Sequence, residues 1–112
     1  MASAYPARFA AAVPIASTHD AATRVCDMTG VPVWAFHGDA DSLQPPSNSQ
    51  MYVDRIAAAC PSAPAEAPTL TLLPCRAPPQ DHCGWIEAYD GSHGAVVGGF
   101  TSVFDWMLSH TR

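Results

Sequence analysis

The sequence predicts an α/β fold: one domain over residues 1–112, built on a three-stranded parallel sheet with flanking helices. Three observations carry this expectation. Candidate strands and helices alternate along the chain, as crossover connections between parallel strands require. Two of the candidate strands are continuous apolar runs, the pattern of strands buried on both faces. Eleven Pro and seven Gly in 112 residues cut the chain into short elements, which argues against a helical bundle.

The elements follow in order. Ser3 to Ala7 reads as the end of a helix stopped by Pro6. Phe9 to Ile15, with Arg8 ahead of it, is the first strand. Thr18 to Met28 reads as a short helix with Thr18 or Asp20 as its N-cap, ended by Gly30. Val31 to Gly38 is the second strand, with Pro32 tolerated near its start. A polar turn spans Asp39 to Asn48. Ser49 to Cys60 places Met51, Val53, Ile56, Ala57 and Cys60 at helical spacing. A Pro/Ala loop, Pro61 to Pro68, leads to the third strand, Thr69 to Pro74. Cys75 to Trp85 is a loop. Val96 to His110 closes the chain as a helix, with Val97, Phe100, Val103, Phe104 and Met107 near one stripe.

Composition narrows the function. Charged residues are 13% of the chain and apolar residues 48%, which excludes a disordered tail. No uncharged apolar run approaches the roughly 18 residues of a membrane span. The net charge is −5 and there is no Lys, so the chain lacks a basic footprint for nucleic acid. The apolar run after Arg8 is short and interrupted by Pro14, so it reads as a strand and not as a signal peptide. The four cysteines, Cys26, Cys60, Cys75 and Cys83, permit two disulfides in three connectivities, or they stand as buried thiols. There is no C-x-x-C pair, which argues against a zinc ribbon or a thioredoxin-like site.

Polar residues at the C-terminal ends of parallel strands are the first place to seek a site. His37-Gly38-Asp39-Ala40-Asp41 follows the second strand, and Asp81-His82-Cys83-Gly84-Trp85 follows the third. A carboxylate from one loop and an imidazole from the other can meet above the sheet. The carboxylate then fixes the imidazole tautomer and stabilises its protonated form, the acid–base half of a nucleophile–His–acid triad.

These residues carry a family resemblance. His37-Gly38-x-x-Asp41 followed by Pro45 resembles the HGxxDxxVP signature of α/β-hydrolase esterases, in particular the polyhydroxybutyrate-depolymerase, feruloyl-esterase and prolyl-oligopeptidase-like groups. Tyr5-Pro6-x-Arg8-Phe9-Ala10-Ala11-x-Val13-Pro14 resembles the segment after their nucleophile helix. His82-x-x-Trp85-x-x-x-Tyr89 resembles their catalytic-histidine segment, and Val103-Phe104-Asp105-Trp106-Met107-Leu108 their last helix. The resemblance implies that Asp41 is the triad acid and His82 the base, with Asp39 out of register. It makes His37 a strand-end residue and, with Trp85, a lining residue of the site. His19, His93 and His110 have no motif around them and are expected to face solvent.

The family's nucleophile sits in a G-x-S-x-G elbow ahead of the acid and the base. No such motif occurs here. The chain is therefore expected to match the C-terminal third of such a hydrolase, beginning at an internal Met within the helix after the elbow. Ser17, at the end of the first strand, is the substitute nucleophile on offer. Three functions follow as expectations. The first is a carboxylic ester hydrolase acting on a small-molecule ester, weak or inactive unless complemented. The second is a non-catalytic domain that self-associates through the Phe9–Ile15 edge strand. The third is a metal-binding domain using His82, Cys83 and Cys75 with His37 or Asp41. The esterase reading calls for no cofactor.

Overall fold

In a computed structural model, which describes residues 2–18, 24–75 and 82–111, β1 (Trp34–Gly38) is the axis of the molecule and every one of its residues is buried. It pairs in parallel with β2 (Thr69–Leu73), in register from Trp34↔Thr69 to Gly38↔Leu73. Between them runs α1 (Ser47–Asp54), which continues into a π-helical turn over Arg55–Ala59. Then come α2 (Trp85–Asp90) and α3 (Val103–Ser109). No helix among the described residues is long and apolar enough to cross a membrane.

Strand alternation sorts β1 between two cores. Val33 and Ala35 pack with Val25, Met28, Tyr52, Val53 and Ile56 on the α1 side. Trp34 and Phe36 pack with Leu73, Ala88, Val103 and Trp106 on the side of α2 and α3. Trp34 and Trp106 meet edge to face at 5.7 Å, and the Trp34 indole N–H donates to Thr71 Oγ1 at 2.9 Å. This satisfies the polar edge of a ring that is otherwise fully buried.

The expected three-stranded sheet is corrected to a two-stranded one. Phe9 to Ile15 does lie beside β1, but it makes only two isolated parallel bridges, Ala12↔Val33 and Ile15↔Phe36. The reason is one proline. The Ala12 N–H donates to Pro32 O and the Trp34 N–H to Ala12 O; the Phe36 N–H donates to Pro14 O and the Ala16 N–H to Phe36 O. A continuous parallel ladder needs one more rung, from the N–H of residue 14 to Trp34 O, and Pro14 has no N–H to give. The segment is half-buried, not buried on both faces as its composition suggested.

Other boundaries also move. Of the helix expected over Thr18–Met28, Val25–Met28 is a 3-10 turn, while residues 19–23, His19 and Asp20 among them, lie outside the described residues. Pro6–Arg8 is likewise a 3-10 turn. The closing helix begins at Val103 and not at Val96, because Gly98 and Gly99 both take positive φ and fold Val97 back on Phe100. Ser102 caps it by accepting the Asp105 N–H. Its buried face is Val103 and Trp106, whereas Phe104 and Met107 of the expected stripe are exposed. Trp85, the last residue of the segment read as a loop, opens α2, which is entered through Gly84 at φ 111°.

All four cysteines are paired, Cys26–Cys60 and Cys75–Cys83. The first joins the Val25–Met28 turn to the end of the π turn. The second crosses from the exit of β2 to the residue after His82.

Candidate active site

Asp41 sits in the turn that leaves β1, and its side chain is fully buried. Its Oδ1 accepts the backbone N–H groups of Leu43 at 3.0 Å and Gln44 at 2.8 Å, an arrangement that closes the turn on the carboxylate. Oδ2 accepts from Nδ1 of His82 at 2.6 Å. Burial pushes the Asp41 carboxyl up. The Gln44 N–H, the His82 hydrogen bond, the Leu43 N–H and the His82 charge together outweigh it and hold the group below its ordinary value.

A carboxylate only accepts hydrogen bonds, so Nδ1 of His82 carries the proton and Nε2 is left as the basic nitrogen. The His82 side chain is 32% exposed, so this nitrogen belongs to a ring that solvent reaches. Trp85 stands edge-on to the imidazole with ring centroids 4.5 Å apart, and it is itself at the surface. The sequence thus brings together Asp41, His82 and Trp85 as expected.

His37 is elsewhere. It is fully buried on the α1 side of β1 and so supports the turn from beneath instead of lining an open site. Its Nε2–H donates to Gln44 O at 2.6 Å, and its Nδ1 accepts the Ser49 hydroxyl at 2.6 Å. Nε2 also lies 3.7 Å from Asp41 Oδ2. Ser49 and Gln44 are the residues that sequence reasoning missed; the only sequence sign was a polar residue on the inner face of α1, twelve places after His37.

Asp39, out of register as the acid, has a different task. Its N–H donates to Leu73 O, and its Oδ1 accepts the Cys75 N–H at 2.9 Å. This ties the exit of β2 to the exit of β1. Ser17 is buried at the end of the segment bridged to β1, on the rim where Asp41 also lies. It lines a hollow of about 420 Å³ with Phe9, Val13, Tyr52 and Met107. Among the described residues no hydrogen bond joins it to His82.

Two further histidines depart from expectation. His93 packs its ring against Trp34 and Phe36 and accepts the Ala95 N–H. His110 faces Trp106 O with Nδ1 at 2.8 Å and Glu66 Oε2 with Nε2 at 3.0 Å. Ser109 stands beside it, but both ring nitrogens already face oxygen acceptors and the Ser109 hydroxyl donates to Trp106 O. This group is a clamp on the end of α3 and no second triad.

The metal-binding reading is corrected by the same geometry. Cys75 and Cys83, the thiolates it requires, are joined to each other. Among the described residues no group of three or more His, Cys, Asp or Glu is arranged to hold an ion. Comparison with protein-family models, curated proteins and solved structures finds no match.

Proposed function

We propose that Asp41 and His82 are the acid–base half of a carboxylic ester hydrolase. The observation that carries this reading is the 2.6 Å contact between buried Asp41 Oδ2 and His82 Nδ1, which, among the described residues, leaves Nε2 as the basic nitrogen of an accessible ring. The resemblance of four segments to α/β-hydrolase esterases supports it. In the reaction, Nε2 removes a proton from the attacking hydroxyl as that oxygen bonds to the acyl carbon. The imidazolium then returns the proton to the leaving alcohol oxygen. Asp41 holds the tautomer and offsets the imidazolium charge throughout. The attacking hydroxyl belongs to water, to Ser17, or to a serine supplied by another polypeptide segment. A triad without its own nucleophile keeps only a small residue of its rate, so hydrolysis by this chain is weak. The test is p-nitrophenyl acetate turnover by the wild type and by His82→Ala. A clear loss in the variant supports the reading; equal rates overturn it.

A second reading, self-association, is favoured by a specific observation at the sheet edge. Ala12, Pro14 and Ala16 use their backbone groups toward β1, which turns those of Val13 and Ile15 outward. Among the described residues these outward groups have no backbone partner. The hollow beside them lies between Tyr52 of α1 and Met107 of α3. An antiparallel second copy would pair Val13 with its own counterpart and Ala11 with Ile15. Sedimentation is expected to show a dimer that Val13→Pro dissociates, and a strict monomer at high concentration would end this reading.

A further inference from the structure

We propose that the Cys75–Cys83 disulfide, seated on Gly38, is the positioning device that holds His82 on Asp41, so that the pair is assembled only while the sulfur bridge is intact. The inference concerns the same two residues as the hydrolase reading but does not need it.

The connections form a closed ring. From Asp41 the chain runs back two residues to Asp39, whose carboxylate grips the Cys75 N–H at 2.9 Å. Cys75 is bonded through its sulfur to Cys83. Cys83 follows His82 directly, and His82 Nδ1 returns to Asp41 Oδ2 at 2.6 Å. The base of the ring is fixed to the sheet, because Gly38 pairs with Leu73 and the Asp39 N–H donates to Leu73 O. The imidazole is thus delivered across the top of the sheet by a covalent strut rooted in β2.

Gly38 is the seat of that strut. A Cβ at this position would stand 2.1 Å from Cys75 Sγ and 2.3 Å from Cys83 Sγ. Both sulfurs therefore rest on the backbone of β1, and no side chain fits beneath them. Gly84 completes the contact: a Cβ there would reach 3.6 Å from the Gly38 nitrogen. The bridge is pressed between the end of the central strand and the entry to α2.

Breaking the bridge needs two electrons and two protons, and it yields two thiols. A phosphine supplies the electrons and leaves as the phosphine oxide with oxygen taken from water. After that step the described anchors of His82 on its C-terminal side are the Trp85 ring and α2, whose buried residue is Ala88, six residues on. The alternative is that α2 and the edge contact of Trp85 hold His82 without help.

Proton NMR of the ¹⁵N-histidine-labelled chain distinguishes the two, since the His82 Nδ1–H in a short bond to a carboxylate gives a far-downfield signal. In Cys75→Ser/Cys83→Ser, folded by near-ultraviolet circular dichroism, the signal is expected to vanish. In Cys26→Ser/Cys60→Ser, which leaves the site untouched, the signal stays. A folded Cys75→Ser/Cys83→Ser protein that keeps the signal overturns the proposal. If that variant does not fold, phosphine reduction of the folded Cys26→Ser/Cys60→Ser protein decides: loss of the signal as its one remaining bridge opens supports the proposal, and an unchanged signal overturns it. Ester turnover is no part of this readout, so failure of the hydrolase reading leaves it standing.

Discussion

The hydroxyl of Ser49 donates to Nδ1 of His37 at 2.6 Å, in a space where both residues are fully buried. Through this contact α1 sets the tautomer of His37, whose other nitrogen then donates to Gln44 O and braces the turn that carries Asp41. Ser49→Ala leaves a buried ring nitrogen without its donor. The expected loss is about 1–3 kcal/mol of unfolding free energy, the usual cost of an unsatisfied buried polar group. Denaturant unfolding of the two proteins measures it, and a loss close to zero would mean that the turn does not depend on α1.

Asp41 should give the protein an acid-sensitive component of stability. Its carboxyl is held below the ordinary value of 3.8 in the folded chain, the Gln44, Leu43 and His82 hydrogen bonds outweighing burial. The folded state therefore binds fewer protons here than the unfolded one. The stabilisation is complete above the unfolded value, near pH 4, and is lost as pH falls through the lower folded value. Asp41→Asn is expected to cost about 1–3 kcal/mol at pH 7, with the gap between the two proteins closing below about pH 4. A gap that stays constant from pH 7 to pH 3 would contradict the assignment.

The two disulfides should separate in their effects. Cys26–Cys60 closes a span of 34 residues and Cys75–Cys83 a span of 8. Loop-closure entropy gives about 4 kcal/mol for the longer span and about 2.5 kcal/mol for the shorter. Cys26→Ser/Cys60→Ser is thus the variant expected to lower the thermal midpoint most. Calorimetry checks the order.

Ala16 is the one described non-glycine residue with positive φ, at 50°, where the segment beside β1 turns away. An L-residue in the left-handed region costs roughly 1 kcal/mol or more relative to glycine. Ala16→Gly relieves this but adds freedom to the unfolded chain. The net expectation is a stabilisation of about 0.5 kcal/mol, read as a small rise in the denaturation midpoint.

Much of this arrangement is legible in the sequence. Within the apolar, β-rich run from Val31 to Gly38, Trp34–Gly38 is a buried strand, and Thr69 to Leu73 pairs with it. Asp41 and His82 were found from their places after those strands and from the motifs around them. What was hidden depends on contacts that no local pattern records. Pro14 sits inside an apolar run that composition alone reads as a full strand, yet its missing N–H falls on the side facing β1. Trp106 looks like part of a surface helix until the turn at Gly98 and Gly99 rotates α3 and brings it onto Trp34. His93 and His110 lack motifs but are held by aromatic rings and by Glu66 from distant parts of the chain.

The crowding of two sulfurs over Gly38 also makes three positions answerable to one another across evolutionary time. While both cysteines persist, only hydrogen is tolerated at residue 38. A lineage that lost them would be released to place a methyl group there, and having done so could not regain the crosslink without first reverting. Drift at this spot would then run as a ratchet, with the order of substitutions deciding which are permitted.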